Sequence, residues 1–175
     1  MRRAIIRARS HDTAQMSSTA PDLTFDTLED HIGREIALTP WVRVSQEDAS
    51  AFGHLTGDPD PMHVDPAWAR AKSPFGGTVL AGLHLLSLLP QLSRGSGLTI
   101  GGVQLAMNYG FDRIRFVAPV PVGAEFRNRI RLLRVERRAD GKAIILTHNE
   151  FEVRGVEGPA LVADWVNLLW PDAEA

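Results

Sequence analysis

The densest group of polar side chains lies in segment 56–65, which reads TGDPDPMHVD. Pro59 and Pro61 stiffen this segment, because proline fixes its own φ and disfavours a helical conformation in the residue before it. Asp58 and His63 therefore lie on a rigid loop, and rigid placement suits acid–base chemistry. The carboxylate can accept a proton from water, while the imidazole can orient that water or donate to a substrate.

Three interpretations of this loop are open from the residues alone. In the first, Asp58 and Asp65 cap helices and His63 is an ordinary loop histidine. In the second, His63 and the three aspartates, which include Asp60, bind a metal ion. An EF-hand loop counted from Asp58 would need Gly and Glu where His63 and Ala69 stand, which argues against that kind of site. In the third, Asp58 and His63 form a catalytic pair.

The helices that must hold this loop can be placed from apolar periodicity and capping signals. They are predicted over Thr27–Ile32, from the N-cap Ser45 to about Leu55, from Pro66 to Ala71 with Asp65 as N-cap, and over Val79–Leu89 with Thr78 as N-cap. The last helix is apolar nearly all round, so we expect protein to surround it and Pro90 to close it. Segment 41–44 is predicted to be extended.

After Pro90 the pattern changes to strands separated by turn signals. These strands are predicted at Val103–Phe116, Ala124–Arg137, Ala143–Val153 and Leu161–Leu169. Charged and apolar residues alternate in the second strand, which predicts one wet and one buried face. Helices followed by four consecutive strands indicate the α+β class, with an antiparallel meander wrapped around the apolar helix.

The composition is that of an ordinary globular chain. Its 175 residues are 44% hydrophobic and 23% charged, so we expect one domain with its own core. A formal net charge of −2 gives no support for a nucleic-acid partner. The lack of cysteine excludes disulfides, thiolate metal sites and a cysteine nucleophile.

The ends of the chain lead to expectations about location. No apolar run approaches the roughly 20 residues that a membrane-spanning helix needs, so no membrane partner is expected. Residues 1–22 are predicted to be a disordered leader before a single domain over 23–175, with a transit peptide or a start at Met16 as alternatives. We expect a cytoplasmic protein.

Two motifs resemble those of the MaoC-like dehydratase family. The first reads GDPDPMHVD at 57–65, followed by FGGTVLAG at 75–82, and the second reads MNYGFDRIRFVAPVPVG at 107–123. The similarity covers about residues 25–170 and is greatest to the nodulation-protein-N-like branch, which includes R-specific enoyl-CoA hydratases. It implies the hot-dog fold, an antiparallel sheet wrapped around a long central helix.

The resemblance implies a reaction and residue roles. Asp58 and His63 match the pair that activates the water added across a trans-2-enoyl thioester to give an (R)-3-hydroxyacyl product. Gly82 matches the glycine whose backbone N–H polarises the thioester carbonyl, as unpaired N–H groups at a helix N-terminus can do. Close packing of helix on sheet is the alternative reason for this glycine. The chain departs from the family at Asp60 and Ala81, where Asn and His are common.

Three further positions carry expectations. Asn108 lines the acyl pocket or merely closes its strand. Arg129, within an arginine stripe, lies on a solvated strand face or binds the phosphates of coenzyme A. His84, inside the apolar helix, is expected to be a buried and hydrogen-bonded core residue.

The implied substrate is a thioester of coenzyme A or of an acyl carrier protein. No cofactor or metal is implied, because the thioester itself is the electron sink. A single hot-dog domain is expected to join a second copy edge to edge as a homodimer, which also protects exposed strand edges. Two other functions stay open, namely an acyl-CoA thioesterase and a non-catalytic subunit that binds acyl thioesters.

Overall fold

A five-stranded antiparallel sheet carries short helices against one face in the computed structural model, which describes residues 23–173. The predicted leader over 1–22 lies outside the described residues. The helices are α1 (Gln46–Thr56), α2 (Pro61–Val64), α3 (Pro66–Lys72), α4 (Gly82–Ser87) and α5 (Leu89–Gly95), with a 3-10 helix over Leu28–His31. The strands are β1 (Glu35–Leu38), β2 (Val103–Phe116), β3 (Phe126–Arg137), β4 (Ala143–Val153) and β5 (Pro159–Pro171). The predicted α+β class is confirmed.

The order of the strands across the sheet is β1-β3-β4-β5-β2. Only β3, β4 and β5 form a meander, so the prediction of a four-strand meander was wrong for β2, which pairs with β5 at the far edge. Segment 117–125 between β2 and β3 is a crossover, and the Leu80 N–H donates to the Val120 carbonyl within it (2.8 Å). Pro119 and Pro121 lack the N–H groups that a tight hairpin between β2 and β3 would use.

The apolar helix is divided and displaced from its predicted position over Val79–Leu89. The chain is still extended at Val79, which forms a bridge with Pro121, and α4 begins only at Gly82. The helical path then continues past Pro90, which lies in the first turn of α5. Proline is tolerated there, because the first-turn N–H groups have no partner within the helix. The long central helix is therefore two short helices.

These two helices bury leucines against the sheet. Leu85, Leu89 and Leu92 are at most 3% exposed and pack with Phe126, Phe151 and other sheet residues in one cluster. Each buried leucine contributes on the order of 2 kcal/mol to folding. The expectation that protein surrounds the apolar helix was wrong for its outer side, because Leu83 of α4 is 65% exposed.

The two faces of β3 match the predicted alternation. Phe126, Asn128, Ile130 and Leu132 are at most 2% exposed and face the helices, whereas the intervening arginines are partly or fully exposed. The sequence prediction missed β1, a four-residue edge strand against β3. Segment 41–44, predicted to be extended, contributes only a bridge from Val42 to Phe126. Within residues 23–173, no helix is long and apolar enough to cross a membrane.

Candidate active site

Asp58 lies just beyond the end of α1. The helix stops at Gly57, whose φ of 74° is the left-handed conformation that glycine tolerates best, and the Asp58 N–H donates to the Gly53 carbonyl (2.9 Å). The carboxylate of Asp58 is exposed, and no hydrogen bond or ion pair reaches it from the described part of the chain. It is therefore available to a water molecule or a substrate.

The other two aspartates of the loop cap helices. Asp60 accepts from the Met62 N–H (2.8 Å) at the start of α2, and Asp65 accepts from the Ala67 and Trp68 N–H groups (2.9 and 3.0 Å) at the start of α3. The capping interpretation is confirmed for Asp65, but the third acid, Asp58, is not a cap. Among residues 23–173, no three His, Asp or Glu side chains converge in a group that could hold a metal ion.

His63 lies in α2, which the sequence analysis did not predict as a helix, and its ring is half-buried. Its Nδ1 is 2.8 Å from the carbonyl oxygen of Val79. Because a carbonyl only accepts, Nδ1 carries the proton in this bond, and in its neutral form the ring presents a lone pair at Nε2. No partner for Nε2 occurs among the described residues. No hydrogen bond joins the His63 and Asp58 side chains there either.

Gly82 is the first residue of α4, three positions after the Val79 carbonyl that holds the His63 ring. Its N–H has no acceptor within residues 23–173, as expected at a helix start. A Cβ at this position would lie 2.6 Å from Cδ1 of Phe116, so close packing is a real reason for this glycine. Close packing and an available N–H are both present. Ala81 is the N-cap of α4, and its side chain makes no capping hydrogen bond.

His84, two residues further along α4, is 6% exposed and stacks on Phe52 at 4.4 Å. Burial lowers the pKa of His84, and the charge of Asp48 opposes this shift. The buried location agrees with the prediction, but the expected hydrogen bond is missing, since Nδ1 has no partner in the described structure. The neutral ring therefore acts here as an aromatic packing surface.

No hydrogen bond or ion pair joins Asn108 or Arg129 to His63 within residues 23–173. Asn108 is exposed on the helix-facing side of β2, opposite Asn167. It lies eight residues before Phe116, the β2 residue that contacts Gly82, and this separation is about 25 Å along the strand. Arg129 lies on the opposite face of the sheet. Asn108 as an acyl-pocket residue and Arg129 as a phosphate ligand both stay predictions.

Arg129 already has anionic partners on that outer face. Its guanidinium forms ion pairs with Glu152 (2.9 Å) and with Glu35, and hydrogen bonding to Glu152 raises the pKa of Arg129 further. Burial raises the pKa of Glu152, but hydrogen bonds from Arg127 and Arg129 outweigh burial and hold that pKa below its ordinary value. These pairs favour the solvated-face interpretation of the arginine stripe.

Two residues that position the loop were missed by the sequence analysis. A Cβ on Gly53 would lie 3.0 Å from the Asp58 carbonyl oxygen and from Cγ1 of Val64, so glycine lets this loop pack closely on α1. Gln46, the first residue of α1, donates to the His63 carbonyl. The capping motif predicted where α1 begins, but nothing local indicates contacts this far along the chain.

Known proteins are similar to this chain in sequence and in fold. The family model described as MaoC like domain matches residues 27–153. The 3-hydroxyacyl-thioester dehydratase Z of Mycobacterium tuberculosis is 39% identical over 144 residues, covering 81% of this chain and 94% of that protein. Nodulation protein N of Rhizobium leguminosarum bv. viciae is 31% identical over 148 residues, covering 85% and 92% respectively.

Solved structures extend the comparison to the fold. The MaoC-like dehydratase from Rhodospirillum rubrum has a TM-score of 0.69 at 23% identity, covering 83% of this chain and 97% of that one. The (R)-hydratase from A. caviae involved in PHA biosynthesis has a TM-score of 0.57 at 26% identity, covering 75% and 91%. The chain therefore has the hot-dog fold, belongs to the MaoC-like dehydratase family and is a hydro-lyase.

Proposed function

We propose that this protein catalyses the reversible hydration of a trans-2-enoyl-CoA to an (R)-3-hydroxyacyl-CoA. The observation that carries the proposal is the fixed imidazole of His63, whose Nδ1 is bonded to the Val79 carbonyl and whose Nε2 has no partner among the described residues. The Gly82 N–H follows three residues later on the same stretch of chain. A dehydratase and an (R)-hydratase among the relatives support the same chemistry.

The proposed reaction adds water across the double bond. Nε2 of His63 orients the water, and Asp58 accepts a proton as the water oxygen bonds to C3. The electron pair of the double bond moves onto the thioester carbonyl oxygen, where the Gly82 N–H stabilises the developing charge. The Asp58–His63 pair then returns the proton to C2, so that both parts of the water remain in the product. The reaction needs no cofactor, because the thioester accepts and returns the electron pair.

The test is turnover of crotonyl-CoA by the purified protein, followed as loss of the enoyl absorbance. Asp58→Asn keeps the shape of the side chain but removes the proton acceptor, and we expect kcat to fall by about 10²–10⁴-fold. Asp60→Asn is the matched control. It should retain wild-type kcat, because asparagine also caps helices and Asp60 only accepts from a backbone N–H.

Three results would contradict the proposal. Full activity of Asp58→Asn would remove the assigned proton acceptor. Release of free coenzyme A, detected with a thiol reagent, would identify a thioesterase. Binding of an enoyl-CoA without turnover would identify a non-catalytic subunit.

The homodimer is also proposed. Strand β2 lies at the edge of the sheet, is 14 residues long and exposes Leu105, Met107 and Tyr109 by 45–57%. Long apolar edges of this kind pair readily with another strand. In such a dimer, Asn108 on β2 is proposed to line the acyl pocket across the interface. Light scattering should give twice the chain mass, and Met107→Lys should shift the mass toward the monomer.

The location and the substrate carrier complete the proposal. We propose a cytoplasmic protein that acts on thioesters of coenzyme A or of an acyl carrier protein. Cell fractionation tests the location. Comparison of crotonyl-CoA with the crotonyl thioester of an acyl carrier protein, by kcat/KM, tests the carrier.

A further inference from the structure

Gln46 joins three separate parts of the chain through one side-chain amide. Its Nε2 donates to the His63 carbonyl (2.8 Å) and to the Ser50 hydroxyl (3.2 Å), while its Oε1 accepts from the Thr78 hydroxyl (2.6 Å). His63 and Thr78 are 17 and 32 residues away in sequence. The amide therefore cross-links the start of α1 to α2 and to the extended segment before α4.

The contacts of Gln46 with His63 and with Thr78 lie on either side of the hydrogen bond that orients the His63 ring. Nδ1 of His63 donates to the carbonyl of Val79, the residue immediately after Thr78. The Val79 N–H in turn donates to the Met62 carbonyl (3.2 Å), immediately before His63. Gln46 thus holds the backbone that carries the imidazole on one side and the segment that carries its acceptor on the other.

We propose that Gln46 is a positioning residue for the hydration reaction, acting through His63. This inference rests on the proposed function. The amide of Gln46 provides both a donor toward the His63 carbonyl and an acceptor toward the Thr78 hydroxyl in one planar group. Without it the imidazole loses its fixed distance and angle to the substrate, and displacements of about 1 Å can cost 10²-fold in rate.

Two substitutions separate the chemistry of the amide from its volume. Gln46→Met keeps the length of the side chain but removes all three hydrogen bonds. Gln46→Glu keeps an oxygen that accepts from the Thr78 hydroxyl. Its second oxygen replaces the amide NH2 group, so the ionised side chain cannot donate to the His63 carbonyl. Protonation of the introduced carboxyl restores a donor, so the ratio of its rate to the wild-type rate should rise as the pH falls toward the ordinary glutamate pKa of about 4.3. Ser50→Ala is the control, since it removes the third contact of Gln46 and otherwise only a long hydrogen bond from the Ser50 hydroxyl to the Val64 carbonyl (3.5 Å).

With crotonyl-CoA we expect Gln46→Met to lower kcat by about 10–100-fold with KM within twofold, because the loss is in placement of a catalytic group. Ser50→Ala should keep wild-type kcat. A Gln46→Met protein with wild-type kcat would overturn the inference, even if its Tm fell. A loss of kcat matched by a rise in KM, with no recovery of Gln46→Glu at low pH, would also overturn it.

A second measurement does not depend on turnover. Nitrogen NMR of the His63 ring, assigned with a His63→Gln variant, should give the Nδ1–H tautomer in the wild-type protein and a tautomer mixture in Gln46→Met. If the wild-type protein does not hydrate crotonyl-CoA, the proposed function fails, while this measurement still decides whether Gln46 orients the His63 ring. An unchanged Nδ1–H signature in Gln46→Met would overturn it.

Discussion

His63 and His148 use their ring nitrogens in opposite ways. His63 lies in α2, just after the loop that carries Asp58. It bonds a backbone carbonyl through Nδ1 and has no partner at Nε2 in the described structure. His148 lies on the face of β4 that points away from the helices. Its Nδ1 is 2.5 Å from Asp164 and its Nε2 is 3.3 Å from Glu150, so both of its nitrogens are engaged by carboxylates.

Proximity to a carboxylate would select His148, which does not meet the requirement of the proposed reaction. A general acid or base must exchange a proton with substrate or water, so it needs a nitrogen that the protein leaves unoccupied. His148 has no such nitrogen. It belongs to an outer face where Arg127 and Arg129 also form ion pairs with Glu152. The helix-facing side differs, because the carboxylate of Asp58 and the N–H of Gly82 are unpaired among the described residues.

The largest expected effect tests this comparison directly. His63→Gln should lower kcat for crotonyl-CoA by about 10²–10⁴-fold, because it removes the basic nitrogen. His148→Gln removes an imidazole whose two nitrogens are both paired on the outer face, and kcat should stay within twofold of wild type. Steady-state kinetics with Tm as a folding control decide the matter. Equal losses of kcat in the two variants would break the comparison.

Local signals predicted much of the fold. The bounds of β2 and β4 match the prediction at both ends, because turn residues flank alternating or apolar runs there. Ser45 caps α1 as expected, accepting from the Asp48 N–H at 3.1 Å. Asp58 and His63 were predicted as the acid and the imidazole from the nine-residue motif at 57–65. Their spacing is contained within this one short segment, so it can be identified without knowledge of the fold.

Contacts between distant segments account for the failures. The extended conformation at Val79 depends on hydrogen bonding to the crossover before β3 and to α2. The helix predicted from the apolar run at Val79 therefore begins three residues later, at Gly82. The same crossover sends β2 to the far edge beside β5. Gln46 reaches His63 and Thr78 only because three segments converge, and no periodicity reports such a contact.

The next effect concerns the unpaired N–H of Gly82. In a Phe116→Ala background, which removes the ring that a Cβ would meet, Gly82→Ala keeps this N–H and Gly82→Pro deletes it. Proline suits the first position of a helix, and Ala81 already has the extended ψ of 136° that a following proline favours. We expect the proline variant to have a kcat about 10²–10³-fold below that of the alanine variant, at similar Tm.

Equal kcat values in this pair would mean that the N–H does not stabilise the carbonyl oxygen. Close packing on Phe116 would then be the whole reason for the glycine. The single Gly82→Ala variant keeps Phe116 and therefore measures the cost of the contact between the added Cβ and that ring. Phe116 is 52% exposed, so its ring has room to rotate away.

A smaller effect is expected at Gly53, which supports the Asp58 loop. Gly53→Ala would push its Cβ to 3.0 Å from the backbone oxygen of Asp58, so the loop must move and the free energy of unfolding should fall by about 1–3 kcal/mol. Gly95→Ala in α5 is the matched control, because nothing lies within 4 Å of the added Cβ. Urea unfolding should show no loss of stability for the control. A stable, fully active Gly53→Ala protein would contradict the close packing of this loop.

Removal of one outer-face charge should have less effect still. Arg129 pairs with Glu152 and Glu35, so Arg129→Ala should lower the free energy of unfolding by about 1 kcal/mol or less, as for partly exposed ion pairs. KM for crotonyl-CoA should stay within twofold of wild type. A clear rise in KM would instead support contact between Arg129 and the phosphates of coenzyme A.

The smallest effect is a pH dependence of stability at Glu152. Its folded pKa lies below the ordinary value, because hydrogen bonds from Arg127 and Arg129 outweigh the opposing effect of burial. The ionised carboxylate therefore stabilises the fold fully above the ordinary glutamate pKa, and this contribution disappears as the pH falls through the lower folded value. The stability difference between wild type and Glu152→Gln should be about 1 kcal/mol or less at pH 7 and should shrink on acidification below about pH 4.3. Urea unfolding across that range measures it, and a difference that grew with acidification would show that the carboxylate is not stabilised by these arginines.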